Sequence, residues 1–131
     1  MPTLSYFTHR MVVQWLRGIP TTPPTGLFVG ALTQAPNADG SGVIEPSGNG
    51  YARRPITLTE AVVSAGVTTT QNVADTIFPT AQGNAWPQVT YLGVFNQTGD
   101  LLAYGPLAAP RAVGVGDSLA FGAGTIQLRL K

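Results

Sequence analysis

The side chains that could supply acid–base, nucleophilic or metal chemistry are few: one histidine, six carboxylates, five serines and no cysteine. A general base needs a partner within hydrogen-bond reach and usually a third group to orient it. His9 stands among apolar residues instead, so a cap or surface role is expected for it. None of Ser5, Ser41, Ser47, Ser64 and Ser118 lies in a Gly-x-Ser-x-Gly turn. The acids are Asp39, Glu45, Glu60, Asp75, Asp100 and Asp117. Three of them, Asp39, Asp100 and Asp117, sit beside glycines in turn sequences, where Asx hydrogen bonding already accounts for them. A glycosidase would need two carboxylates across one cleft. No such pair stands out, and no catalytic residue is assigned.

Asn37, Asp39 and Ser41 alternate and could offer oxygens to calcium, but the segment lacks the spacing and closing glutamate of an EF-hand. Gly48-Asn49-Gly50 and Gly114-Val115-Gly116 match neither phosphate-binding pattern. Without cysteine, thiolate metal sites and disulfides are ruled out. No metal or cofactor is therefore expected. Seven basic residues against six acidic ones give a net charge of +1, and the only adjacent basic pair is Arg53-Arg54. Nucleic-acid binding needs a clustered basic face, so no nucleic-acid partner is expected. Trp86, Tyr91, Tyr104 and Tyr51 are the aromatic candidates for a sugar contact. Tyr91 lies in a segment expected to be buried. Trp86, just before Pro87, suits either a core lid or a contact surface.

The elements that must position these residues follow from periodicity. Leu4, Phe7, Met11, Val12, Trp15 and Leu16 recur at helical spacing, which predicts one helix over residues 4–17. Thr3 or Ser5 can cap its start, and Gly18 and Pro20 stop it. Its wide apolar stripe must pack either on the chain's own sheet or on a neighbouring subunit. Residues 21–26 read as a proline-rich extended linker. Leu27 to Thr33 and Val89 to Phe95 are apolar on both faces and are expected to be central strands. Residues 34–50, rich in Gly, Pro, Asn and Asp, form a long loop of the kind that is usually functional or mobile, and are expected to be an interaction loop.

From residue 51 to 131 the chain reads as a β-rich body of short strands cut by turn residues. Strands are expected over Val67–Thr70, Val73–Phe78, Leu101–Leu107 and Ser118–Phe121, the third returning from a hairpin loop at Asn96-Gln97-Thr98-Gly99-Asp100. In the last, Thr125–Lys131, Ile126, Leu128 and Leu130 point inward. The expected fold is mainly β: a single antiparallel β-sandwich or barrel-like domain over residues 1–131, with one short N-terminal α-helix. No apolar stretch approaches the ~18 residues of a transmembrane helix, and no signal peptide is read at Met1-Pro2-Thr3-Leu4. Charged residues make up 10% of the chain, against ~25% in an ordinary soluble domain. Either a Thr/Gln/Asn-rich β surface or coverage by neighbours in an assembly would explain that.

A resemblance emerges from the order of the motifs. It starts with Trp15-Leu16-Arg17-Gly18, Thr22-Pro23-Pro24 and Leu27-Phe28-Val29-Gly30-Ala31-Leu32. It continues through Gly48-Asn49-Gly50-Tyr51-Ala52-Arg53, Phe78-Pro79-Thr80-Ala81 and Val89-Thr90-Tyr91-Leu92-Gly93-Val94-Phe95. It closes with Gly99-Asp100-Leu101-Leu102, Pro110-Arg111-Ala112-Val113 and Gly116-Asp117-Ser118-Leu119-Ala120-Phe121. The chain resembles a family of short tailed-bacteriophage structural proteins, usually labelled tail-fibre or minor structural proteins. Pro87 after Trp86 and the basic end Arg129-Leu130-Lys131 depart from the family's usual pattern.

The resemblance implies a non-enzymatic virion component, assembled in the host cytoplasm, whose partners are the major capsid protein or tail proteins. No repetitive shaft is visible, so the first expectation is a capsid decoration (cement) protein, trimeric at threefold lattice points. A tail-fibre or baseplate component is the second expectation, and a carbohydrate-binding module contacting the host surface the third. The expected contact residues are Arg53, Arg54, Asn37, Asp39, Trp86 and Trp15. Arginine pairs bidentately with carboxylates and is enriched in interface cores, although Arg53 and Arg54 would also suit solvated strand-edge charges.

Overall fold

The computed structural model describes residues 2–131. Its largest unit is a five-stranded antiparallel sheet with strand order β1-β8-β7-β2-β3. The strands are β1 (Thr3–Leu4), β2 (Leu27–Leu32), β3 (Arg54–Ile56), β7 (Trp86–Asn96) and β8 (Leu101–Val113). A second sheet, in the order β10-β5-β4, is built from β4 (Val62–Ser64), β5 (Val67–Gln71) and β10 (Gln127–Leu130). A two-stranded ribbon joins β6 (Thr76–Ile77) to β9 (Ala120–Phe121). The expected mainly-β, antiparallel class with one helix is what the chain adopts, without closure into a barrel.

Alternation along β2 explains the layering. Val29 and Ala31 are fully buried against Phe78, Trp86, Val89, Leu119 and Phe121, which form the main core. Leu32 points to the other face, where it meets Phe95 and Leu101 under Val43, Tyr91 and Tyr104. Both apolar runs expected to be central, β2 and β7, are central. Strands β7 and β8 form a long hairpin closed at Asn96-Gln97-Thr98-Gly99-Asp100, with Gly99 at φ +88°. The Asn96 side-chain oxygen accepts from the N–H groups of Thr98 and Asp100 at 3.1 and 2.9 Å, which fixes the turn. Ala65 and Gly66, both at positive φ, turn β4 into β5.

Several sequence-based boundaries are corrected. The helix α1 spans Tyr6–Leu16, because Thr3 and Leu4 are held in strand β1 against Tyr104 and Ala103. Ser5 is its N-cap, and the N–H groups of Gly18 and Ile19 cap its end on the carbonyls of Trp15 and Gln14. Strands β6 and β9 are two residues each, shorter than expected. β8 runs on to Val113, past Pro106 and Pro110. Proline is tolerated there because the ladder is interrupted: Tyr91 pairs with Pro106 but Val89 pairs with Arg111. Leu130 is 47% exposed rather than inward, because its sheet extends beyond the core at that point.

Candidate functional site

The segment expected to be an interaction loop has a definite structural task. Between Leu32 and Arg54 the chain forms no helix or strand. β3 covers β2 only from Leu27 to Val29, so further along β2 the outward N–H groups need other acceptors. The Tyr51 hydroxyl accepts from Ala31 N–H at 2.9 Å, and the Ile44 carbonyl accepts from Thr33 N–H at 2.9 Å. The loop thus finishes the sheet edge that β3 leaves open.

Tyr51 in turn donates its O–H to the Glu45 carboxylate. The same carboxylate receives Arg53, whose Nη2 lies 2.6 Å and Nε 3.1 Å from Oε1. The Arg53 guanidinium lies over the Phe95 ring, 3.6 Å from its centroid. Space for this stack comes from Gly30 and Gly93, which face each other across β2 and β7. A Cβ on Gly30 would come within 2.9 Å of both Glu45 Oε2 and Phe95 Cε1. Burial, followed by the hydrogen bond to Glu45 and its negative charge, pushes the Tyr51 phenol far above its ordinary pKa.

This node is a lock, chemically closed on itself: the acid is paired, the phenol is held protonated and the guanidinium is stacked. The sequence held a signal for part of it, because Tyr51 and Arg53 stand two apart and share a face when extended. Nothing local to Glu45 marked it as their partner.

The structure scatters the other candidate contact residues. Trp86 is buried, meets Tyr51 edge-on at 5.3 Å and donates Nε1–H to the Asn49 carbonyl, so it serves as core lid. Arg53 is engaged in the lock and Arg54 is exposed on β3. Asn37 and Asp39 form a turn with Ser41, whose N–H and Oγ–H both donate to Asp39 Oδ1, at 2.9 and 2.6 Å. Those Ser41 hydrogen bonds hold the Asp39 carboxyl below its ordinary pKa. Among the described residues no three His, Cys, Asp or Glu side chains come together as a metal site would require. His9 is exposed on the helix beside Tyr6. Of the four aromatics considered for sugar contact, Trp86 and Tyr51 pack in the main core, and Tyr91 and Tyr104 are half-buried over Leu32 and Phe95.

The exposed apolar surface lies elsewhere. No residue of α1 is buried; Trp15 is 69% and Leu16 70% exposed. Of its apolar side chains, Phe7 and Met11 turn inward, over an apolar cleft of about 470 Å³ shared with Pro23, Leu58, Leu102 and Leu128. The helix is tethered through its first turn, where Ser5 N–H and Thr8 Oγ1–H donate to the Leu102 carbonyl.

Comparison with protein families decides what such a chain is. The profile of the family described as Podophage GP4 fiber I protein gp80 matches residues 3–129. The chain belongs to this family. It is therefore a structural protein of a phage virion, where it associates with other virion proteins. No curated protein matches the chain. Among the described residues no helix is long and apolar enough to cross a membrane.

Proposed function

We propose that this protein is a non-enzymatic component of the fibre apparatus on a podophage tail, held in place by contacts with other virion proteins and assembled as a homotrimer. The observation that carries the reading is the family match, which spans nearly the whole chain and describes a fibre protein. It favours the tail over the capsid-decoration placement that the compact sequence first suggested. The exposed stripe of α1 supports a docked state, since contiguous apolar surface on a monomer usually marks an interaction site. Trp15, Arg54, Asn37 and Asp39 are the exposed residues proposed for contact.

Gold labelling of an epitope-tagged copy in purified virions tests the placement. Label at the tail is expected. Label spread over capsid faces would restore the decoration reading, and virions free of label would overturn both.

A further inference from the structure

The three-stranded sheet ends in two strands that nothing covers. β4 and β10 flank β5, and neither has an outer neighbour among the described residues. Natural sheets usually blunt such edges with charges, prolines or bulges, because a bare edge is a template for another strand. β4 carries no charge and no proline, and all three of its residues are exposed. Val63 is 71% exposed.

The two edges are also matched in level. Thr68 pairs with Val63 on one side and Leu130 on the other, and Thr69 pairs with Val62 and Arg129. Val63 and Leu130 therefore sit at the same height and on the same face, both exposed. Because β4 and β10 each run antiparallel to β5, they run parallel to one another. A second copy added without inversion would set its β4 beside β10 in parallel, with Val63 against Leu130. Charge agrees with this arrangement. Glu60, exposed, leads into β4, while β10 carries Arg129 and is followed by Lys131. Pairing β10 with β10 would instead oppose those bases to their own copies, and like charges facing each other across strands are destabilising.

We infer that the β10 edge of one copy receives the β4 edge of the next, so that the three-stranded sheet continues from copy to copy. The contact is heterologous: it forms a ring where the rotation closes and a filament where it does not. It is independent of whether the protein sits on the tail or on the head.

The absence of cysteine makes the test clean. Full-length V63C is mixed with full-length L130C under mild oxidation, and disulfides are read on a non-reducing gel. Adjacent strands lie ~4.8 Å apart, within the Cα separation of ~4.4–6.8 Å that a disulfide accepts. The mixed disulfide is expected to form at least tenfold faster than that between V63C and the exposed control V115C. Adding E60K to the V63C chain should slow it about two- to fivefold, the range of an exposed ion pair. Adding R129E to the L130C partner should then restore it. Melting curves check that each variant folds, and V62C with R129C, the level pair beside it, repeats the measurement. V63C chains that crosslink to each other as fast as the mixture, or a mixture no faster than the control, would overturn the inference. So would a wild-type chain that stays monomeric at its highest soluble concentration.

Discussion

Replacing Tyr51 with phenylalanine removes one oxygen from the lock while keeping the ring that packs on Phe78 and Trp86. Two hydrogen bonds go with it. Ala31 is fully buried, and its N–H loses the acceptor that stands in for a missing strand. Leaving such a buried donor unsatisfied costs ~1–3 kcal/mol. The Tyr51 O–H also leaves the Glu45 carboxylate, a bond to a charged group worth ~1.5–3 kcal/mol, part of which Arg53 retains because it already holds both oxygens. The expected loss is therefore about 2–4 kcal/mol, or a fall in melting temperature of roughly 8–15 °C for a chain of this length. Urea denaturation followed by circular dichroism measures it. Tyr6 is exposed, so Y6F makes the same chemical change at a site expected to move stability by less than ~0.5 kcal/mol. A double-mutant cycle of Y51F with E45Q should give a coupling above ~0.5 kcal/mol. A Y51F loss below ~0.5 kcal/mol would refute the idea that this hydroxyl closes the sheet edge.

Further outcomes follow from the same geometry. Gly30→Ala should lower stability by about 1–3 kcal/mol in thermal melts, because its Cβ would meet Glu45 and Phe95 at 2.9 Å. The Tyr51 pKa is raised in the folded state, so its contribution is intact below the ordinary value of about 10 and lost as pH rises above it; stability should decline above pH ~10, and less steeply in Y51F. The Thr98 hydroxyl, and then Asn96, hold Asp100 below its ordinary pKa. Its contribution is thus present above pH ~4 and lost as pH falls through the lower folded value, so D100N should flatten the acid limb of the stability profile. Trp15→Ser with Leu16→Ser should change the isolated protein's stability by less than ~0.5 kcal/mol, since both side chains are exposed. The same pair should sharply reduce incorporation into virions, scored by immunoblot of purified particles.

What the sequence disclosed depended on whether a cause was local. Gly18 and Ser5 act within one turn, so the helix and its caps were readable, and Asn96 to Asp100 announced a hairpin by composition alone. β2 and β7 were readable as central because burial on both faces leaves an unbroken apolar run. Leu4 was misassigned because its partner, Ala103, lies at the other end of the chain. Leu130 alternates like a buried residue, but alternation does not reveal whether a sheet still has a neighbour over its apolar face. In the Glu45–Tyr51–Arg53 lock only the two-residue spacing of Tyr51 and Arg53 was readable, and Glu45 was hidden for a related reason. The lock's members are charged or polar residues at loop positions, and only the missing length of β3 gives them a task.

That missing length also bears on how the chain meets other molecules. An exposed N–H or C=O on a sheet edge has three possible partners: the chain itself, water, or another chain. Along β2 the protein answers with its own residues, using the half-buried Tyr51 hydroxyl and the Ile44 carbonyl to satisfy two N–H groups. Along β4 and β10 no comparable device is present among the described residues, and Arg129 donates to its own neighbour Gln127. The contrast within one small chain argues against a general tolerance of open edges. With charged residues at 10%, little electrostatic repulsion separates copies that approach through such an edge. Sealing the β2 edge stabilises even the isolated molecule, whereas the bare β4 and β10 edges have a use only when another copy is there to pair with them.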